Sequence, residues 1–169
     1  MNNAEKNSYV KNRMLTALLE LIDKQTFEEI SISQLVEEAG VGRASFYRNY
    51  NSKEDILRQE ATRLMEEYQS LYQNDDPQNM SVKIIHLLDF YKDHSEFYCA
   101  LYKAGLSNMI QDTFISSAEI TDELPNAAAY VKSAFAYLTY GWVIEWIKRG
   151  MQESGTELAA MFAGMEQMK

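Results

Sequence analysis

The chain has 169 residues, of which 46% are hydrophobic, and this is enough for one or two small domains with real cores. Its one cysteine, Cys99, excludes an intramolecular disulfide. We find no signal-peptide run and no apolar stretch long enough to span a bilayer, so we expect a cytoplasmic protein. The net charge of −9 argues against a protein that coats nucleic acid, because such binding rests on neutralising phosphates.

The first predicted element is a helix over residues 5–24. Its apolar side chains recur at spacings of three and four residues, which places them in one stripe. The members of this stripe are Val10, Met14, Ala17, Leu18, Leu21 and Ile22. We expect the stripe, closed by Phe27 and by Ile30 or Ile32, to form the core under the next segment.

Residues 31–57 have the pattern helix, turn, helix, turn, helix. Ser31 followed by Gln34 has the pattern of a capping box and opens the first helix. Gly40 is placed to end it, because glycine enters the left-handed conformation without a steric penalty. A second, short helix is predicted over 43–50. Two helices joined by a short turn that contains glycine predict a helix-turn-helix.

The second of these helices has the side chains of a DNA recognition helix. Phe46 and Tyr50 share one face, which we expect to pack inward. Arg43 and Tyr47 share another face, which we expect to point outward. In a helix-turn-helix the N-terminal end of the second helix enters the major groove, where arginine pairs with guanine. The residues that we predict to contact DNA are Ser33, Arg43, Ala44, Ser45, Tyr47, Arg48, Asn49 and Lys53.

Acidic residues are concentrated away from this motif. Up to Arg58 the chain has eight basic and nine acidic residues, a net charge of −1. The remainder has eight basic and sixteen acidic residues, a net charge of −8. A local basic surface on an otherwise acidic protein suits binding to one DNA site rather than to DNA in general.

The segment VGRASFYRNYNSKEDIL, residues 41–57, closely resembles the recognition segment of TetR/AcrR-type repressors. The positions that fit that family are Val41, Ala44, Ser45, Phe46, Tyr47, Tyr50, Ser52, Lys53, Glu54, Asp55 and Ile56. Gly42 stands where serine is commoner in the family, and Asn49 stands where histidine or tyrosine often contacts a phosphate. The match extends upstream through Leu15, Phe27, Ile32 and Leu35. The resemblance implies a DNA-binding transcriptional regulator.

The rest of the chain is also predicted to be helical. One long helix runs from Ser52 to about Gln73, and the family resemblance implies that this helix connects two domains. The sequence NDDPQN over 74–79 is the clearest linker, because proline and the Asn/Asp cluster interrupt a helix. Further helices begin at Met80, for about three turns, and at Ser95, and others are predicted over 106–120, 126–149 and 156–168.

The predicted fold class is therefore all-α, with about nine helices in total. We expect an N-terminal three-helix helix-turn-helix domain plus a C-terminal helical regulatory and dimerisation domain. The predicted boundaries are 1–52 for the DNA-binding domain, 53–73 for the connecting helix and 80–169 for the regulatory and dimerisation domain.

The stretch FAYLTYGWVIEWIKRGMQESGTELAAMF, residues 135–162, resembles the end of a short C-terminal domain found on many TetR-like regulators of Gram-positive bacteria. In the family, the last two long helices form a four-helix bundle with those of a second subunit. These helices also carry more apolar surface than one small domain can hide, and such surface usually marks an interface. The predicted homodimer interface is Tyr137, Gly141, Trp142, Glu145, Trp146, Arg149, Leu158, Met161, Phe162 and Met165.

Aromatic residues are unusually frequent in the C-terminal half. A pocket lined by aromatic and methionine side chains, with few polar groups, suits a hydrophobic small molecule. Aromatic residues at helical spacing are also typical of an ordinary core, and it is the family resemblance that implies a pocket. The predicted pocket residues are Tyr91, Phe97, Tyr98, Tyr102, Phe114 and Phe135.

We predict no metal site, no cofactor and no enzymatic activity. His86, Asp89 and Asp93 share one helix face, but no fourth ligand stands on another predicted element, so a solvated polar face is the better interpretation. The sequence shows no nucleophile–base pair and no phosphate loop.

The leading hypothesis is a homodimeric repressor that binds a palindromic double-stranded DNA operator and is released by a hydrophobic small-molecule effector. The alternative is a TetR-like co-regulator that acts through a protein partner rather than a small ligand.

Overall fold

Nine α-helices and one short 3₁₀ turn make up the part of the chain that the computed structural model describes, residues 3–73 and 80–165. In order they are α1 (Asn3–Lys24), the 3₁₀ turn (Phe27–Glu29), α2 (Ile32–Glu38), α3 (Arg43–Asn49), α4 (Lys53–Leu71), α5 (Met80–Asp93), α6 (Ser95–Lys103), α7 (Asn108–Ser117), α8 (Asn126–Lys148) and α9 (Gly155–Met165). These described residues contain no strand, and the predicted all-α fold is confirmed. None of the described helices is long and apolar enough to cross a bilayer.

A first core lies where α1 packs against α2, α3 and α4. Met14 and Leu18 of the α1 stripe are completely buried there, together with Leu35 of α2 and Phe46 of α3. Phe27, from the 3₁₀ turn, closes this core as predicted. Burying these side chains removes apolar surface from water and so fixes α2 and α3 on α1, with the opposite face of α3 in solvent.

The limits of α2 are set by one serine and one glycine. The Oγ of Ser31 accepts the backbone N–H of Gln34 at 3.2 Å, which is the predicted N-cap. The prediction of a full capping box at this position was wrong. The side-chain amide of Gln34 forms hydrogen bonds of 2.9 and 3.2 Å with that of Gln25 instead of bonding to the backbone of Ser31. Gly40 takes a φ of +64°, the left-handed conformation predicted for the end of this helix.

A second core lies in the C-terminal half, where α5 packs on α9 and α8 packs on both α6 and α7. This half also contacts the N-terminal one, since α6 packs on α1 and α7 packs on α4. At the first contact the ammonium of Lys103 lies 2.5 Å from a carboxylate oxygen of Asp23, in an ion pair open to solvent. The long helix α4 therefore belongs to both halves.

The helix predicted over 106–120 is shorter in the structure, Asn108–Ser117, and left-handed residues lie on both sides of it. Gly105 has a φ of +70°, and the next N–H, that of Leu106, bonds back to the carbonyl of Leu101 at 3.0 Å, which closes α6. At the other end Glu119 takes a φ of +49°. The helix α5 has 14 residues, about four turns rather than three. The predicted linker at 74–79 and the end of the last helix beyond residue 165 lie outside the described residues.

Gly155 packs directly against α5. Its N–H donates to Asp89 Oδ1 at 3.1 Å. A Cβ at this position would come 2.3 Å from the same carboxylate oxygen and 3.0 Å from the carbonyl oxygen of Ile85. Any side chain here therefore displaces the carboxylate that caps the start of α9.

We expect Gly155→Ala to lower the free energy of unfolding by about 1–3 kcal/mol, because it removes this hydrogen bond and crowds α5. The effect runs against helix propensity, which favours alanine. Thermal unfolding measures it, with Thr156→Ala as control, since Thr156 is the exposed next residue of the same helix. An equal or higher melting temperature for Gly155→Ala would contradict the close packing of α9 on α5.

Candidate nucleic-acid interface

The two faces of α3 differ in exposure, as the sequence predicts. Phe46 and Tyr50 are buried, whereas the side chain of Tyr47 is 61% exposed. The ring of Tyr47 stands perpendicular to that of Phe46, with centroids 5.2 Å apart. Burial, assisted by the carboxylates of Glu60 and Asp55, raises the pKa of Tyr50 to about 12. Tyr50 thus stays a neutral core residue at any physiological pH.

The N-terminal end of α3 forms one surface with α2. Arg43 and Ser33, ten positions apart in sequence, meet there: the Arg43 guanidinium donates to the hydroxyl of Ser33. Ala44 and Arg48 are also exposed, and Ser45 is half-buried. With Tyr47, six of the eight predicted DNA-contacting residues therefore lie on or at the edge of the exposed face of the helix-turn-helix.

The other two residues, Asn49 and Lys53, bond within the protein. Asn49 Nδ2 donates to the carbonyl of Ser45 at 2.8 Å, one turn back in α3. The Lys53 ammonium donates to three backbone carbonyls that surround the 3₁₀ turn, with distances of 3.2 Å to Glu28 and 2.9 Å to Ile30 and a closer one to Phe27. It also lies 4.4 Å from the centre of the Phe27 ring. Any contact of this ammonium with a phosphate requires it to exchange these partners.

A glutamine of α4 that we did not predict holds the end of α3. Gln59 Nε2 donates to the carbonyl of Asn49 at 3.1 Å, and Gln59 Oε1 accepts the ammonium of Lys11 at 2.8 Å. The amide thus ties α1, α3 and α4 together at one point. The only signal in the sequence was a polar residue at the border of the apolar stripe of α4, which is an ordinary feature of amphipathic helices.

A cavity of about 620 Å³ lies between α4, α5, α7 and α8. Its lining is mostly apolar, with two lysines and one glutamate among the other residues. The main apolar residues are Tyr68, Ile84, Leu87, Phe114, Phe135 and Ala136. A second hollow of about 450 Å³, between α4 and α7, shares Met65, Thr113 and Ser117 with the cavity. The size and the apolar lining are those of a small-molecule site.

The helix α8 exposes an apolar stripe, which we call the α8 stripe. The side chain of Tyr130 is 69% exposed, that of Val131 70%, that of Tyr137 51% and that of Leu138 43%. The α8 stripe recurs at three- and four-residue spacing and contains no charged residue. Its members are Ala127, Tyr130, Val131, Ala134, Tyr137, Leu138 and Gly141.

The comparison with protein families decides the identity. Residues 14–59 match the family described as bacterial regulatory proteins, tetR family, and residues 75–167 match the family described as transcriptional regulator C-terminal region. The chain is a TetR-family transcriptional regulator. The first match contains the whole helix-turn-helix, so this TetR-family regulator is a DNA-binding protein.

Two solved structures share the fold of this regulator. Lin0861 from Listeria innocua is 18% identical, with a TM-score of 0.76 over 99% of this chain and 94% of that one. FadR from Bacillus halodurans, a fatty acid degradation regulator, is 14% identical, with a TM-score of 0.57 over 89% of this chain and 91% of that one. Among curated protein sequences, none matches this regulator.

The cavity of the regulator uses only part of the predicted pocket. Phe114 and Phe135 line it. Four predicted residues do not: Tyr91, Phe97, Tyr98 and Tyr102. Tyr91 and Tyr98 stack on each other in the core, with ring centroids 3.9 Å apart and planes 7° apart, and Phe97 is buried beside them. Tyr102 is exposed on α6. These four aromatics therefore fill or flank the α5–α6 core instead of facing the cavity.

The residues of the predicted dimer interface differ in exposure. Trp146 and Leu158 are buried inside the protomer. Exposed members of the predicted set are Tyr137, Gly141, Arg149 and Met161, and half-buried ones are Trp142 and Glu145. The side chains of Phe162 and Met165 lie outside the described residues. Glu145 also pairs with Arg149 at 2.7 Å along the helix, as its spacing predicts, and this hydrogen bond lowers the pKa of the Glu145 carboxyl.

Two polar residues of α5, His86 and Asp89, make contacts with neighbouring segments of this regulator. The ring of His86 stacks on Tyr72, with centroids 4.4 Å apart, and Asp89 caps α9 through Gly155. Within residues 3–73 and 80–165 no group of three or more His, Cys, Asp and Glu residues is arranged to hold a metal ion.

Proposed function

We propose that this regulator is a homodimeric repressor that binds a palindromic operator and releases it when a small molecule occupies the cavity. The observation that carries the proposal is the position of α4. This helix begins four residues after the end of α3, and Met65 and Tyr68, three to four turns further along, line the cavity. The proposal includes the predicted domain boundaries, 1–52, 53–73 and 80–169, and a cytoplasmic location of the regulator.

In the proposed complex the N-terminal end of α3 enters the major groove. Arg43 is the residue for a guanine edge, because it is exposed and its guanidinium donates to a serine hydroxyl that is easily exchanged. Tyr47 and Arg48 are the donors for phosphates on either side. Ala44 and Ser45 are small enough to let the helix approach the bases, and Ser33 supports Arg43 from α2.

The α8 stripe supports a dimer. Exposed aromatic and aliphatic side chains along a helix without a charge among them mark an interface rather than a solvated face. Ala127, Ala134 and Gly141 recur every seven residues, so a second helix can approach α8 closely along this line. A two-fold axis through this interface presents two recognition helices to two half-sites of a palindrome.

Release of the operator then follows from a population shift. The ligand must bind one arrangement of α4 more tightly than the other, because a ligand with equal affinity for both shifts nothing. A molecule that fills the cavity contacts α4 at Met65 and Tyr68. Movement at that end changes the tilt of α4, and Gln59 carries the change to the carbonyl of Asn49 at the end of α3.

In vitro selection of fragmented genomic DNA with the purified protein at physiological salt tests this function. We expect enrichment of one palindrome with half-sites about one helical turn apart. Enrichment without any two-fold symmetry would contradict the dimer. A folded dimer that enriches no sequence would contradict the repressor and favour a co-regulator that acts through a protein partner.

A further inference from the structure

The cavity lining contains more positively than negatively charged side chains. Lys83 of α5 and Lys132 of α8 both line it, and both side chains are half-buried. Among the described residues that line the cavity, Glu119, after the end of α7, is the only acidic one. The lining of an otherwise acidic C-terminal half thus carries one net positive charge.

Two hydroxyl groups of the cavity lining donate hydrogen bonds within the protein. Thr113 donates to the carbonyl of Met109 at 3.1 Å, and Thr139 donates to the carbonyl of Phe135 at 2.9 Å. Each bond joins a side chain to the carbonyl one turn back in its own helix, which leaves no proton for a ligand. The Lys132 ammonium makes one long contact, 3.4 Å, to the carbonyl of Glu119, and an ammonium has three N–H donors.

We propose that the effector is an amphipathic anion: an apolar body with one carboxylate that pairs with Lys83 and Lys132. This rests on the proposed function, in which the cavity is the effector site. A neutral apolar ligand would lie beside the two ammonium groups without balancing their charge. A cationic ligand would meet two like charges. A single negative charge balances the net charge of the lining, whereas a phosphate dianion would exceed it.

The apolar body of this effector occupies the space between Ile84, Leu87, Phe114 and Phe135. A cavity of about 620 Å³ accommodates an aliphatic chain or a small ring system. The carboxylate then bridges α5 and α8 while the body contacts α4.

Decanoate, decanol and decylamine have the same ten-carbon chain but a negative, a neutral and a positive head group. Comparing them separates the contribution of charge to binding from that of the apolar chain. Titration calorimetry with the purified wild-type protein gives affinity and stoichiometry for each. We expect one decanoate per protomer, bound about tenfold more tightly than decanol, and little binding of decylamine. Lys83→Gln and Lys132→Gln should each weaken decanoate about tenfold and leave decanol unchanged, because the glutamine keeps the size but removes the charge.

The control is Lys24→Gln, which removes the same charge from an exposed position on α1, away from the cavity. It should leave the affinity for decanoate unchanged, and all three variants should keep the wild-type melting temperature. Two results would overturn the proposal of an anionic effector: decanol binds as tightly as decanoate, or both cavity variants still prefer decanoate. The cavity would then remain the effector site, for a ligand of another class. Failure of all three probes to bind would overturn both the anion and the cavity as the effector site.

Discussion

Replacing Tyr47 with alanine is expected to reduce operator affinity by about a hundredfold or more. Each half-site loses one hydrogen bond to a charged group, which contributes about 1.5–3 kcal/mol, and a dimer loses two of them. Protein stability should not change, because the side chain is 61% exposed and its ring touches the core only at the edge of Phe46. Fluorescence anisotropy with the selected palindrome measures the affinity, and thermal unfolding measures the stability.

A matched control comes from Tyr102→Ala. Tyr102 is also an exposed tyrosine on a helix, but it lies on α6 and outside the cavity lining. Its replacement should leave operator affinity unchanged. Undiminished binding by Tyr47→Ala would mean that the exposed face of α3 is not the DNA-contacting surface.

Gly141→Leu is expected to dissociate the dimer while stabilising the protomer. Within the protomer a Cβ at Gly141 meets no atom within 4 Å, so leucine fits without a clash. Leucine also favours the helix over glycine by close to 1 kcal/mol. Across the proposed interface the same side chain stands where two copies of α8 approach most closely, and it holds them apart.

Analytical ultracentrifugation and thermal unfolding at low concentration separate these two effects. We expect a monomer that binds the full palindrome more than about a hundredfold more weakly, because the second half-site no longer adds its affinity. Thr156→Leu, which places the same side chain at an exposed position of α9, should remain dimeric. A Gly141→Leu protein that remains dimeric would place the interface elsewhere than on the α8 stripe.

Local rules were sufficient to predict the helix-turn-helix. The faces of α3 follow from 3.6 residues per turn, since Phe46 and Tyr50 must point one way and Tyr47 another. Gly40 ends α2 because few residues other than glycine readily adopt its positive φ. The resemblance to the TetR family rests on the same residues, because they both shape the motif and identify it.

The C-terminal half is harder to predict because apolar residues of α8 lie both on its buried side and on its exposed side. Val143 and Trp146 face the core, while Tyr130 and Val131 face solvent, and no local pattern distinguishes these pairs. The same limit explains why Tyr91 was assigned to a pocket, since a buried aromatic looks alike in sequence whether it meets a neighbour or a ligand. Contacts between distant segments, such as that of Gln59 with Asn49, depend on packing that residue spacing does not encode.

The inward position of Lys53 affects how the operator complex should respond to ionic strength. Each phosphate neutralised by a lysine or arginine releases counterions. The more counterions are released, the more steeply the affinity falls as salt is added. A lysine that keeps the carbonyls around the 3₁₀ turn as its partners frees none. Operator binding should then depend on salt less steeply than the number of basic residues in the motif suggests.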